Sequence, residues 1–330
     1  MTTIVFFLIL VTLTALTGIR QQRADTSTFV LSRDYTNALR GLAMMFIIFC
    51  HVGSIYGQKT FLLLNPFVSP GVMLFLALSG YGNNESYLKK GKFPLTKLLK
   101  LAIPYWIARS LVIVGNGGTL FSLSPERIMD YCFIQNNNVF WFAGFLMKWY
   151  FVYWICTKWL YKYRWTVMIA FGILLCVLKE NQTQVLCFPF GVWLSENKDK
   201  LKELTFATQM KIAAGFFAFG SISLIIKHLP NWGGYETVHD VCTCFVNMSY
   251  GICVILLFYR TRLCRYSRLL AFMAPFTYEL YLVHMQALKL VQFGSVGTTV
   301  GTTLLFFAVS FAGAWVFNRV NRWIFRMVKI

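Results

Sequence analysis

Charged residues are scarce in this chain. Only 13% of its 330 residues are Asp, Glu, Lys or Arg, whereas 57% are hydrophobic. A soluble globular domain carries charge at roughly a quarter of its positions. The mean hydropathy of +0.59 is also high. These values exclude an ordinary soluble domain and indicate a membrane protein.

Several motifs of soluble enzymes and metal sites are absent as well. The sequence has no P-loop, no dinucleotide-binding fingerprint, no GxSxG elbow and no HExxH helix. Cys242 and Cys244 form a CxC pair, but no nearby Cys/His pair completes a zinc pattern. We therefore expect no metal site and no disulfide framework. No internal repeat is apparent, which disfavours the repeat-built transporters.

Apolar blocks of membrane-spanning length recur along the whole chain, which predicts an all-α, polytopic transmembrane bundle of about ten or eleven spans. The expected spans are 3–19, 37–57, 67–83, 99–115, 139–158, 165–179, 184–195, 212–227, 239–258, 269–288 and 300–318. The block at 184–195 is short, so we expect either a broken or tilted half-helix or an extension into its flanks.

The first block lacks the basic start and the small-residue cleavage site of a signal peptide. We therefore expect residues 1–25 to form an additional, retained transmembrane helix. Residues 26–330 would then form the main membrane domain.

The net charge of +19 comes from Lys and Arg residues that cluster in every second loop between the spans. The alternate loops hold few basic residues, namely Lys59, Arg127, Lys179, Lys227 and Lys289. By the positive-inside rule, the loops that are rich in Lys and Arg lie in the cytoplasm. This predicts a cell-membrane protein with its N-terminus outside and its C-terminus inside. Without a basic soluble domain, we expect no nucleic-acid partner.

Two polar residues stand out in the second predicted span, "ALRGLAMMFIIFCH". Arg40 and His51 are eleven residues apart, so they share one face of a helix and lie about 16 Å apart along its axis. Alone, Arg40 is explained as a snorkelling anchor and His51 as a packed, hydrogen-bonded histidine. Together on one face they favour a polar, water-accessible stripe, because intramembrane charge normally faces a cavity or a partner.

Other spans carry polar residues too. Ser79 and Gly80 form a small pair that suits either close helix packing or a site. Glu279 and His284 are five residues apart, so they diverge by about 140° and face different neighbours. A buried Glu279 needs a partner or a raised pKa. Its candidate partners are the basic residues within spans, Arg40, Arg109 and Lys148.

The order of these motifs resembles the acyltransferase-3 family of membrane acyltransferases. "RDYTNALRGLAMMFIIFCH" resembles the family's opening pattern of an arginine, then Arg-Gly, then a histidine after ten intervening residues. "LFLALSGYG", "KLLKLAIPYW", "FWF" and "FPFGVWLSENKDK" are similar to later family segments. "FTYELYLVH" resembles the near-terminal Ser-Tyr-x-x-Tyr-Leu-x-His. The matches run in family order over roughly residues 30–320.

Two motifs depart from the family pattern. The basic pair before the proline is usually arginine, whereas this chain has Lys97 and Lys100 at a slightly shifted spacing. Thr277 stands where serine is usual. The predicted first helix also precedes the usual core of about ten spans.

The resemblance implies transfer of an acyl group, most often acetyl, from acyl-CoA to a hydroxyl of a surface or lipid-linked glycan. The partners would be that glycan acceptor and membrane lipid, and the oligomeric state stays open between monomer and homo-oligomer. We expect Arg33, Arg40, Lys97 and Lys100 to bind the phosphates and orient the donor. His51 would act as general base or carry the acyl group covalently.

The remaining predicted site residues complete this hypothesis. Backbone groups at Ser79 and Gly80 would support the oxyanion. Glu279 and His284 are further catalytic candidates. The rival hypotheses are a proton-coupled transporter or flippase, which would use Arg40, His51, Glu279 and His284 as a relay, and a membrane subunit without catalysis.

Overall fold

The computed structural model describes residues 31–56, 65–118, 124, 128, 140–229, 235–258, 268–291 and 300–329. Within these ranges all regular structure is helical and no strand occurs. The all-α prediction is therefore confirmed. The predicted span 3–19 lies outside the described residues.

Twelve helices can be named in the described ranges. They are α1 Arg33–Tyr56, α2 Gly71–Lys90, α3 Thr96–Gly115, α4 Trp141–Trp159, α5 Arg164–Val177, α6 Cys187–Glu196, α7 Lys198–Lys202, α8 Phe206–His228, α9 Glu236–Phe258, α10 Arg268–Met273, α11 Thr277–Leu290 and α12 Val300–Met327. Short 3-10 turns at Tyr161–Tyr163, Gln182–Gln184 and Ala274–Phe276 connect neighbouring helices.

Each predicted span from the second onwards coincides with a helix or a helix pair. The short block at 184–195 is the ten-residue helix α6. The block at 269–288 is divided into α10 and α11 by the turn that contains Pro275, as expected because proline interrupts the helical hydrogen-bond ladder. The last helix differs most, since it continues to Met327 rather than ending at residue 318.

Within the described residues, five helices are long and apolar enough to cross a membrane. They are Arg33–Val52 within α1, all of α3, α8 and α9, and Gly301–Met327 within α12. Most of the membrane-length window is buried within the protein in α1 and α9, but only a minority in α3, α8 and α12. The latter three therefore expose apolar side chains such as Leu111, Ile225 and Trp315, as lipid-facing helices do.

The described helices form two compact units. The first contains residues 31–85, 182–277 and 300–304, and the second contains 86–181, 278–291 and 305–329. In the first unit α1 packs against α10, and α8 packs along α9. In the second, α4 packs against α3 and α5, around buried rings that include Tyr105, Trp149 and Tyr153.

Glycines let two helices of the first unit cross closely. A Cβ added to Gly191 of α6 would fall on the carbonyl of Ala77 in α2, and one added to Gly80 of α2 would fall on the carbonyl of Phe188 in α6. Small residues permit such approach between membrane helices. This crossing fixes α6 against the polar half of α2, which runs from Ser79 to Lys90.

The second unit contains an ion pair at the end of a span. Lys148 of α4 pairs with Glu180, which follows α5, and each side chain is 26% exposed. Lys148 was one of three basic residues expected to pair with Glu279. Its partner is Glu180 instead.

Candidate functional site

Helix α1 carries Arg33, Arg40 and His51, and its position is fixed at both the cap and the core. The hydroxyl of Ser32 accepts the backbone N–H of Tyr35 at 3.2 Å, which is an N-cap that starts the helix at Arg33. The buried Tyr35 hydroxyl then donates to the carbonyl of Ile255 in α9 at 2.6 Å. The exposed Arg33 therefore sits at the first turn of an anchored helix.

Arg40 is half-buried and faces α2. Its Nη1 donates to Oδ1 of Asn37 at 3.4 Å. A Cβ added to Gly82 of α2 would lie 3.5 Å from Nη2 of Arg40. The guanidinium therefore lies against the backbone of α2, in the segment that follows Ser79 and Gly80. The absence of a side chain at Gly82 leaves the room for it.

His51 lies three turns further along α1 and is also half-buried. Between it and Arg40, the same face carries Met44 and Ile47, which are 0% and 4% exposed. The expected stripe is therefore not continuously polar. It has a polar end around Arg40, an apolar middle, and His51 beyond it.

Ser79 and Gly80 lie in the middle of α2. Backbone N–H groups in a helix interior are engaged by the carbonyls four residues earlier. The suggested oxyanion support by these N–H groups is therefore not available in this conformation. Gly80 instead serves the crossing with α6, and a donor contact through the half-buried Ser79 hydroxyl stays a prediction.

A polar cluster that the sequence analysis missed joins α2 to the end of α6 and the start of α7. The Ser195 hydroxyl accepts Nδ2 of Asn84 at 3.0 Å and donates to Oε1 of Glu85 at 2.7 Å. Nζ of Lys198 lies 2.8 Å from both oxygens of Glu85. Ser195 is only 1% exposed. This Glu85 cluster (Asn84, Glu85, Ser195 and Lys198) fixes the polar half of α2, against which Arg40 lies.

The signal for the Glu85 cluster was present in the sequence. Two motif segments, "LFLALSGYGNNE" and "FPFGVWLSENKDK", each end in polar residues, but sequence alone does not show that they meet. A more exposed ion pair lies beside the Glu85 cluster: Nζ of Lys202 donates to Oδ1 of Asp199 at 2.6 Å. That hydrogen bond, together with the lysine charge, lowers the pKa of the Asp199 carboxyl below its ordinary value.

In the second unit, α11 is tied to three other helices. Oε1 of the buried Glu279 accepts Nδ2 of Asn321 in α12 at 3.1 Å. The Tyr278 hydroxyl donates to the carbonyl of Leu101 in α3 at 2.8 Å. The Tyr281 ring packs edge-on against the ring of Phe142 in α4, with the ring centroids 5.1 Å apart. Among the described residues, Glu279 thus bonds an amide rather than a basic residue.

His284 is fully buried, and its tautomer can be deduced. Nδ1 lies 2.7 Å from the carbonyl oxygen of Tyr281 and 3.2 Å from that of Leu280. A carbonyl can only accept, so Nδ1 must carry the proton. In a neutral imidazole the lone pair is then on Nε2, which is the arrangement of an oriented base.

The predicted phosphate-binding lysines lie on α3. Nζ of the half-buried Lys97 sits 5.1 Å from the ring centroid of Phe93, a cation–π contact. Lys100 is exposed. Pro104 lies one turn later and lacks an N–H, so the helix carbonyl at residue 100 has no i+4 donor there.

The predicted residues thus divide between the units. Arg33, Arg40, His51, Ser79 and Gly80 belong to the first unit. Lys97, Lys100, Glu279 and His284 belong to the second. The structure brings Arg40 to the polar half of α2, and it gives Glu279 and His284 separate hydrogen-bond partners.

A comparison with protein families matches residues 33–319 to the family described as an acyltransferase domain. The match begins at the first residue of α1 and ends within α12, so it takes in both units. The chain belongs to the acyltransferase-3 family. Searches of curated proteins and of solved structures found no match.

Membership in the acyltransferase-3 family makes this chain a membrane acyltransferase. The matched region contains α1 with Arg40 and His51, on which the resemblance was first based. The resemblance deduced from the sequence is therefore confirmed.

Proposed function

We propose that this acyltransferase moves an acyl group, acetyl first among them, from acyl-CoA to a hydroxyl of a cell-surface or lipid-linked glycan. The observation that carries the proposal is α1 itself. This one anchored helix holds Arg40 against the polar half of α2 and His51 about 16 Å further along the same face. An anion-binding group and a base are thus held at a fixed separation.

The donor binds through its phosphates. Arg33 is exposed at the predicted cytoplasmic end of α1, and Arg40 follows two turns later. A guanidinium offers paired donors that match phosphate oxygens, and it stays charged at any physiological pH. The apolar Met44 and Ile47 between Arg40 and His51 are buried, so a pantetheine arm that reaches His51 would have to pass beside these side chains or displace them.

The transfer itself needs one base. The acceptor oxygen attacks the thioester carbonyl carbon while a ring nitrogen of His51 takes the hydroxyl proton. The C–S bond then breaks, and the CoA thiolate leaves and takes that proton. The covalent route replaces the first attack by His51 itself, which then passes the acyl group to the acceptor oxygen. In both routes the acceptor gains the acyl group and the thiol gains one proton.

Residues of the second unit supply the other expected roles. Lys97 and Lys100 stay candidates for phosphate binding in the second unit. His284 holds its Nδ1 proton against the Tyr281 carbonyl, so Nε2 would be the basic nitrogen of the neutral ring in a second proton-transfer step. Glu279, held by Asn321, would orient a polar neighbour rather than neutralise a cation.

The test measures acetyl-CoA binding and CoA release by the purified protein in nanodiscs, for wild type, Arg40→Ala, Arg40→Lys and His51→Ala. We expect Arg40→Ala to weaken binding and Arg40→Lys to restore only part of it, because lysine keeps the charge but loses the paired donors. His51→Ala should bind normally and release CoA slowly. A wild type that neither binds nor turns over acetyl-CoA or longer acyl-CoAs refutes the proposal.

A further inference from the structure

The last part of the chain has charge of one sign only. No acidic residue follows Glu279 in the sequence, whereas Lys289, Arg319, Arg322, Arg326 and Lys329 do follow it. Four of these five basic residues fall within the final twelve residues of the sequence. No acidic side chain of the same segment offsets the local positive potential there.

The structure places three of these residues on one continuous helix. Helix α12 runs unbroken from Val300 to Met327. Its 28 residues span about 42 Å at 1.5 Å per residue, whereas a bilayer's hydrocarbon core is about 30 Å thick. About eight residues therefore either project beyond the hydrocarbon or force the helix to tilt. They correspond to the segment from Arg319 to Met327.

The outer surface of this segment divides into two parallel stripes. Arg319, Arg322 and Arg326 are spaced three and four residues apart, so they share one face. An apolar stripe repeats every three or four residues beside it and is well exposed: Val316 53%, Val320 41%, Trp323 62% and Met327 67%. The opposite face holds Asn321, which is 0% exposed. The two stripes together are the terminal face of α12.

The arginines on this face are available to a ligand. Arg319 stacks over Trp315 at 4.6 Å, which leaves its outer donors accessible. In the part of the chain that the structure describes, Arg322, Arg326 and Lys329 have no ion-pair partner. An exposed guanidinium row beside an exposed Trp and Met matches one ligand chemistry: a phosphate attached to an alkyl chain.

We propose that α12 tilts so that its terminal face lies along the membrane interface, and that this face binds an anionic glycerophospholipid, with its phosphate on Arg319, Arg322 and Arg326 and its acyl chain along Val320, Trp323 and Met327. The proposal goes beyond acyl transfer and does not depend on it. The positive-inside rule alone would explain the charges, but it predicts no preference among lipids and no role for the apolar stripe. A soluble anion would not need that stripe.

The experiment uses the full chain in nanodiscs of equal phosphatidylglycerol and phosphatidylcholine, followed by native mass spectrometry of the lipids retained per protein. The variant Arg319→Gln/Arg322→Gln/Arg326→Gln removes three charges from the terminal face. The matched control Lys89→Gln/Lys90→Gln/Lys92→Gln removes three exposed charges at the end of α2. Trp323→Gln interrupts the apolar stripe and leaves every charge in place.

We expect wild type to retain phosphatidylglycerol selectively and the arginine variant to lose at least about tenfold of that selectivity. The lysine control should keep the selectivity, and Trp323→Gln should shorten retention of both lipids. An equal loss in the lysine control would overturn the proposal, because bulk charge would then explain the binding. Displacement of the lipid by millimolar glycerol phosphate would overturn it too. No acyl-CoA is present, so either failure leaves the proposed activity untouched.

Discussion

His51 is the residue on which the proposed chemistry depends most. Replacing it with alanine should slow acyl transfer by about 10²- to 10⁴-fold, the usual contribution of a positioned base. The measurement is CoA release in nanodiscs at saturating acetyl-CoA. His239→Ala is a matched control in the same unit, because its side chain is 45% exposed and lies beside Asp240. Equal losses in both variants would show that the effect is not specific to His51.

Ser195 is the second residue with a defined prediction. Its buried hydroxyl both accepts from Asn84 and donates to Glu85, so Ser195→Ala removes two hydrogen bonds, one of them to a charged group. We expect a loss of about 1–3 kcal/mol in the free energy of unfolding. Thermal unfolding in nanodiscs measures it. Ser223→Ala is the control, since that buried hydroxyl bonds only the Phe219 carbonyl of its own helix; a loss as large there contradicts the assignment.

The sequence identified Arg40 and His51 but none of their surroundings. A helical period of 3.6 residues places the two on one face, and that is a local property. The partners of Lys148 and Glu279 are not local: Glu180 and Asn321 lie 32 and 42 residues away along the chain. Choosing them requires knowing which helices pack together. The buried Met44 and Ile47 between Arg40 and His51 also follow from that packing.

Among the helices, the crossing of α2 and α6 gives the sharpest prediction. Gly191→Ala places a methyl group on the Ala77 carbonyl, so the two helices must move apart. The residues of the Glu85 cluster, which come from both sides of this crossing, must then separate as well. We expect a loss of several kcal/mol, as for other overpacked sites, or failure to yield monodisperse protein. Gly215→Ala in α8 is the control, because a Cβ there meets nothing within 4 Å. Alanine also favours a helix over glycine. If Gly215→Ala is the more damaging of the two, the crossing is not tight.

Helices were easier to predict than their ends. Long apolar runs predicted α1, α3, α8 and α9 to within a few residues. Helix α12 was predicted to stop at residue 318 because hydropathy falls there. Backbone hydrogen bonding does not require apolar side chains, and Arg, Trp and Met all tolerate a helix well. The end of an apolar run is therefore not the end of the helix.

For the whole molecule, the distribution of Lys and Arg predicts the orientation in the membrane. Alkaline phosphatase fused after Glu180 should be active, because that loop is predicted to face outward. The same reporter fused after Leu204 should be inactive, because the Lys198–Lys202 segment is predicted to stay in the cytoplasm. Fusion to green fluorescent protein at the same positions is the complementary control and should fluoresce only at the second. The reverse pattern would invert the predicted topology.

The pairing of Lys148 with Glu180 has a consequence for how the protein is made. Translation delivers Lys148 to the membrane 32 residues before its partner. At 5–20 residues per second, that is about two to six seconds during which the lysine of α4 has no carboxylate to meet. Helix α4 would therefore be held back until α5 has emerged, and the two would enter the bilayer as a hairpin. Glu180→Gln would then act during biosynthesis, lowering the yield of inserted protein more than the stability of the molecules that do insert.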